Sequence, residues 1–162
     1  MDEQPPYATV DLDGVVADVR HRLHFIWQRP KNWAAFFAAA VDDPVLPEGR
    51  AVVDELAARG YELVWLTGRP ERCRADTLGW LREHDLPAGR LLMRREGDRR
   101  PSRLAKLDIL RGLARRRPVA VAVDDDAEVV QAMREAGFEV LHAQWMPEEP
   151  TLRDAQEREG RT

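Results

Sequence analysis

With 162 residues, 44% of them hydrophobic, the chain suits one domain that buries a core, and its net charge of −4 excludes a protein that merely coats nucleic acid. The single cysteine, Cys73, excludes an internal disulfide, and the sequence has no long apolar run or basic-then-apolar leader. The expectation is a cytoplasmic protein with no membrane partner and no obligate protein partner. Lys and Arg total 25, of which only Lys31 and Lys106 are lysine, so an arginine says little and a lysine stands out.

Residues 1–6, MDEQPP, are expected to be loose. The stretch Tyr7–Ala17, YATVDLDGVVA, follows as a short apolar, β-branched run that ends in Asp11, with Asp13 two residues on. That pattern is a buried strand delivering carboxylates to its C-terminal edge. Gly14 then lets the backbone turn and bring amide groups close to an anion. A metal-assisted phosphoryl site and a strand that ends in an Asx turn account for these residues equally well. Between residues 18 and 47, five aromatics and three prolines read as two short helices, a small cap over the active edge. Most of those aromatics are expected to fill the cap's own minor core. His21 and His24 lack further ligands at zinc spacing and read as surface or capping residues.

A helix is predicted over 48–59 with Gly60 as its stop, then a strand over 61–66 that ends in Thr67-Gly68-Arg69. Pro70 opens a helix to about His84, with Cys73 as a packing residue in its first turn. Arg90–Met93 is a strand candidate that leads into a locally basic loop, residues 94–103, which includes Arg100. On the helix predicted over 102–115, Leu104, Leu107, Leu110 and Leu113 form the buried stripe and Lys106 lies beside it. The strand 118–123 ends in Asp124, Asp125 and Asp126. Three adjacent carboxylates repel one another and favour a cation, with Asp126 also a candidate helix cap. A helix, Gly137 as its stop, a strand over 138–142 and a loose tail from 147 complete the chain.

Alternating strands and helices predict an α/β domain with a Rossmann-like parallel sheet of about five strands, helices on both faces and the site at the strands' carboxyl ends. The ordered set DLDGV, LTGR, a single Lys and VDDD resembles the four motifs of the haloacid dehalogenase (HAD) superfamily of phosphohydrolases over about residues 8–142. Within it the chain is similar to the phosphatase domain of polynucleotide kinase-phosphatases, through Arg22, Arg69 and the MRREGDRR stretch. Val15, Pro101 and Ser102 depart from that subgroup's pattern.

The resemblance implies that Asp11 attacks phosphorus to form an aspartyl phosphate and that Asp13 serves as acid and then base. It implies that Mg²⁺ is held by Asp11, the Asp13 carbonyl oxygen, Asp124 and Asp125, and that Thr67, Lys106 and the Gly14 and Gly68 loops stabilise phosphoryl oxygens. Arg22, Arg69 and Arg100 would bind the rest of a phosphomonoester substrate, with a nucleic-acid 3′ end as the finer expectation. Two alternatives stay open: a phosphatase of nucleotides or small metabolites, and a phospho-receiver signalling module. The receiver fits less well, because here the lysine precedes the last acidic cluster.

Overall fold

The computed structural model describes residues 3–162. The first two residues of the segment expected to be loose lie outside that range. The element order is β1 (Tyr7–Val10), α1 (His24–Trp27), α2 (Trp33–Ala38), α3 (Pro47–Ala58), β2 (Glu62–Pro70), α4 (Arg74–Glu83), β3 (Arg90–Arg94), α5 (Ser102–Ala114), β4 (Val119–Asp124), α6 (Ala127–Glu135), β5 (Val140–His142) and α7 (Pro150–Glu157). Short 3-10 turns cover Arg20–Arg22, Ala39–Asp42 and Glu71–Cys73.

All strand pairings are parallel and the order is β3-β2-β1-β4-β5. Both faces are covered, and the period-two alternation of each strand assigns its side chains to one face or the other. Ala8, Val10, Leu63, Trp65, Leu91 and Val123 pack with residues of α3 and α4, while Leu66 and Ala122 pack with residues of α5 and α6. Residues 18–46 form the helical insertion expected there. Val19, Leu23, Ile26, Phe36 and Phe37 give it a core of its own, whereas Trp27 stays 54% exposed.

Two expectations are corrected. The stripe on α5 does not include Leu104, which is 44% exposed, while Ala105 and Lys106 are buried. Four residues spaced by three drift around a helix of about 3.6 residues per turn, so Leu104 ends up opposite Leu113. The segment from 147 is not loose. It forms α7, with Pro150 in the first turn and the Glu149 carboxylate accepting from Leu152 N at 2.8 Å. Leu152 and Ala155 are buried, Leu152 in the cap core, which for a leucine contributes about 1.5–3 kcal/mol. The abundance of charge misled because the charges find partners: Arg153 lies by Asp126, Glu157 accepts from Arg103, and Glu159 pairs with Lys31.

Candidate active site

The register brings the site together. Val10 pairs with Val123 on one side and Trp65 on the other, so Asp11 and Asp124 leave their strands side by side, with Thr67 across from them. Asp11 N donates to Val123 O at 3.0 Å, which continues the ladder by one residue. β2 extends past Leu66 through a register shift to Pro70, so Thr67, Gly68 and Arg69 are a strand irregularity rather than a simple strand end.

Asp11 is 3% exposed, with Oδ1 accepting from Leu12 N at 2.8 Å. Lys106 reaches in from α5, its Nζ 3.1 Å from Asp11 Oδ2 and donating to Asp124 Oδ2 at 2.6 Å. Burial alone would lower the lysine pKa, but Asp11 and Asp124 outweigh it and raise it. Asp124 Oδ1 accepts from Asp126 N at 3.0 Å, and the Asp126 carboxylate caps α6 through Glu128 N.

Asp125 lies against Gly14, whose φ is +81° and whose Cβ, if it had one, would overlap the Asp125 carboxylate. Glycine is therefore needed there twice over. Asp125 Oδ1 is buried and has no hydrogen-bond partner among the described residues. Burial, and then Asp124, push the Asp125 carboxyl up to about 7 against the opposing pull of Arg153 and Lys106. Burial likewise raises Asp11 well above the ordinary carboxylate range, with Asp124 and Asp125 adding to the effect and Lys106 opposing it. Oxygens of Asp11, Asp124 and Asp125 lie within 4.8 Å of one another. One ammonium and, 3.7 Å from Asp125, the Arg153 guanidinium thus face three buried carboxylates, and the surplus negative charge, the orphaned Asp125 oxygen and the all-oxygen donor set fit a hard divalent cation.

Asp13 belongs to a different neighbourhood, which leaves only its carbonyl oxygen for that cation. Its carboxylate accepts from Arg22 Nη2 at 2.8 Å, Arg69 Nη2 at 2.6 Å and Arg69 Nε at 3.1 Å. Both arginines are almost fully buried. Burial would raise Asp13, but Arg69 and Arg22 outweigh it and bring its pKa down to about 2. Behind them stands Asp43, a buried residue from the end of the cap that the sequence reading passed over. It accepts from Arg22 Nε and Nη2, each at 2.8 Å, and from Arg69 Nη2 at 3.2 Å, while His21 Nε2 lies 2.7 Å away. The only signal in the sequence was an acid before a proline, Asp43-Pro44, which reads as a loop.

Thr67 is buried and its Oγ1 accepts from Arg69 N at 3.1 Å, which leaves the hydroxyl proton free to donate. Gly68 is packed against the main chain of Thr162. Arg100 is apart from this group, half-exposed and paired with Asp98 and Asp108. Arg153, which the sequence reading did not single out, stands closer. Arg153 Nη2 donates to Asp125 O at 2.8 Å.

The chain matches the family model "Polynucleotide kinase PNKP phosphatase domain" over residues 5–145. No curated protein matches it. Among solved structures it is similar to a chain of the Pnkp1/Rnl/Hen1 RNA repair complex, with a TM-score of 0.71 and 24% identity, covering 87% of this chain and 43% of that one. It thus spans less than half of that chain's length. It is also similar to the class C acid phosphatase of Bacillus anthracis, with a TM-score of 0.65 and 12% identity over 95% of this chain and 78% of that one. The D,D-heptose 1.7-bisphosphate phosphatase of B. bronchiseptica, complexed with magnesium and phosphate, gives a TM-score of 0.50 at 17% identity over 83% and 78%. At these identities the structures speak for the fold, and the fold is that of the HAD phosphatases. With the family model matched over most of its length, the chain belongs to the PNKP phosphatase-domain family of that superfamily.

Proposed function

We propose that the chain is a Mg²⁺-dependent phosphomonoester hydrolase that works through an aspartyl phosphate and takes the phosphorylated 3′ end of a nucleic acid. The observation that carries the chemistry is Asp11, held at the end of the central strand by Leu12 N and Lys106 and faced by Asp124 and Asp125. Asp11, Asp124, Asp125 and the Asp13 carbonyl oxygen would hold the cation, which offsets the repulsion between a carboxylate nucleophile and a phosphate dianion.

Asp11 attacks phosphorus, the bond to the leaving oxygen breaks, and water later releases the phosphate from the aspartyl ester. The Thr67 hydroxyl and the Lys106 ammonium donate to phosphoryl oxygens as charge builds there, each donor worth about 10²–10³-fold. Asp13 protonates the leaving oxygen and then takes a proton from water. A carboxyl held at about 2 is a poor proton carrier near neutrality. Arg22 and Arg69 bear on this, because an arriving phosphate competes with Asp13 for the same guanidinium donors. As they turn to it, the Asp13 pKa rises and the acid is armed, while Asp43 keeps both arginines anchored.

The nucleic-acid reading is supported by the family match and by the basic loop that follows β3, in which Arg95, Arg99 and Arg100 lie exposed. The half-buried, unpaired Cys73 is in keeping with a reducing cytoplasm, and no described helix is long and apolar enough to cross a membrane. The deciding test compares kcat/KM on a 3′-phosphorylated oligonucleotide with that on a 3′-mononucleotide, with and without EDTA. A higher value for the oligonucleotide, abolished by chelation and restored by Mg²⁺, is expected. Equal values, with no difference in salt dependence, would return the protein to the small-metabolite phosphatases.

A further inference from the structure

Asp125 differs from the other two carboxylates of its group in how it is held. Asp11 accepts from Leu12 N and Asp124 from Asp126 N, and Lys106 reaches both. The Asp125 carboxylate has no such hold. Its Oδ1 is buried without a partner among the described residues, and its Oδ2 stands 3.7 Å from Arg153 Nη2, beyond hydrogen-bond range. What is held is the Asp125 main chain: its carbonyl oxygen accepts from Arg153 Nη2 at 2.8 Å, and His142 Nε2 stands 3.1 Å from the same oxygen.

Arg153 stands on α7, beyond the residues that match the family model. Its guanidinium brackets α7 to the loop after β4. Nη1 donates to Gln156 Oε1 at 2.9 Å, about one turn on, and lies 3.4 Å from Asp126 Oδ1, while Nη2 takes the Asp125 carbonyl. Nε is left buried without a partner among the described residues, so the side chain is turned to suit its fork at the expense of its third donor group. The helix is a firm mount. Leu152, the residue before, is buried in the cap core, and Glu157 accepts from Arg103 Nη1 at 2.8 Å.

We propose that Arg153 is a positioning residue of the cation site: by holding the Asp125 carbonyl it fixes the main chain from which the otherwise untied Asp125 carboxylate meets the cation. The inference rests on the Mg²⁺ reading given above. Charge and orientation act in opposite directions here. A guanidinium beside the site repels a cation and weakens its binding, and solvent reduces that repulsion because the side chain is 20% exposed. Orientation is the larger of the two effects, since a residue that orients a metal ligand is typically worth about 10–100-fold in metal affinity. Lysine separates them. It keeps the positive charge and has no planar fork with which to hold the Asp125 carbonyl and face Asp126 together.

The test is a calorimetric titration of Mg²⁺ into the metal-free protein, with the metal-free melting temperature measured beside it. Arg153→Lys should raise the Mg²⁺ Kd by about tenfold or more and change the melting temperature little. Arg153→Gln loses the fork and the repulsion together, so its Kd should rise by less. Leu152→Ala empties part of the cap core and should lower the melting temperature, yet it should leave the Kd within about twofold of the parent, which separates the role of Arg153 from the mere docking of α7. A parental Kd in Arg153→Lys, a tighter one in Arg153→Gln, or a rise in Leu152→Ala as large as that in Arg153→Lys would each overturn the proposal and leave the cation reading standing. A parent chain that takes up no Mg²⁺ would remove that reading and the role of Arg153 with it.

Discussion

Two groups of carboxylates flank the end of β1, and they are balanced differently. Asp11, Asp124 and Asp125 share the Lys106 ammonium and, 3.7 Å from Asp125, the Arg153 guanidinium, two cations for three carboxylates, whereas Asp13 and Asp43 share two buried guanidinium groups. The first group is short of positive charge, and Asp11 and Asp125 are pushed up, Asp125 to about 7. The second is neutral overall, and Asp13 is held down at about 2. The difference teaches which side calls for an added cation and which already matches its charges. Residues that would bind a cation must be left under-compensated, whereas Asp13 and Asp43 are matched by Arg22 and Arg69 until a phosphate competes for those guanidinium groups.

The largest effect should come from removing the nucleophile. Asp11→Asn keeps the shape of the first group and relieves its repulsion, so turnover should fall by at least about 10³-fold while the melting temperature without metal rises or holds. Activity close to that of the parent in a folded variant would rule out the covalent scheme.

Substitutions that remove one partner of a buried pair in each group should separate the two groups next. Breaking a buried pair costs about 3–5 kcal/mol, and both Lys106→Met and Asp43→Asn should show a loss of that order without metal. Mg²⁺ should restore much of it for Lys106→Met, because the cation takes over the compensation, and none for Asp43→Asn. Thermal melts with and without Mg²⁺ decide this, and an equal response in both variants would erase the distinction.

A smaller effect lies in the pH dependence. Asp125 binds protons more tightly folded than unfolded, so stability in EDTA should fall as pH rises from about 4 through about 7, Asp11 acts in the same direction, and Mg²⁺ should flatten that slope. Asp13 runs the other way: its contribution is present above about 4 and is lost as pH falls through about 2, with or without Mg²⁺. A metal-free melting temperature that is constant between pH 4 and 7 would argue against the charge imbalance. The smallest effect is expected at Arg100, which lies outside both groups on exposed ion pairs. Arg100→Ala should leave the fold intact and reduce the salt slope of oligonucleotide kcat/KM by roughly 0.7 if it makes one phosphate contact.

The sheet, the cap and the residues Asp11, Thr67, Lys106 and Asp124 were legible because strand ends, apolar runs and turn residues are local signals, and a parallel sheet carries strand ends to one edge. Asp43 was not legible, since its role comes from a fold-back of the cap onto Arg22 and Arg69 that no spacing announces. Leu104 misled because an i, i+3 count alone mimics a stripe. The tail misled for a third reason: composition counts charges without knowing that Arg103, Lys31 and Asp126 wait for them. A finer eye would have caught Glu149-Pro150 as a helix start, with Leu152 and Ala155 on one side of it.

β1 lies third of five strands, with neighbours paired along both edges and every residue buried. Its amide protons can therefore exchange with solvent only when the sheet itself opens, whereas the cap rests on two short helices and a small core of its own. Mild denaturant or heat should consequently unravel the protein from the cap inward, and Asp43 leaves with the cap. Asp13 would lose the anchoring of its arginines while Asp11 and Asp124 still stood side by side, so a partly opened molecule would keep the carboxylate cluster proposed for the cation after the charge balance around Asp13 had gone.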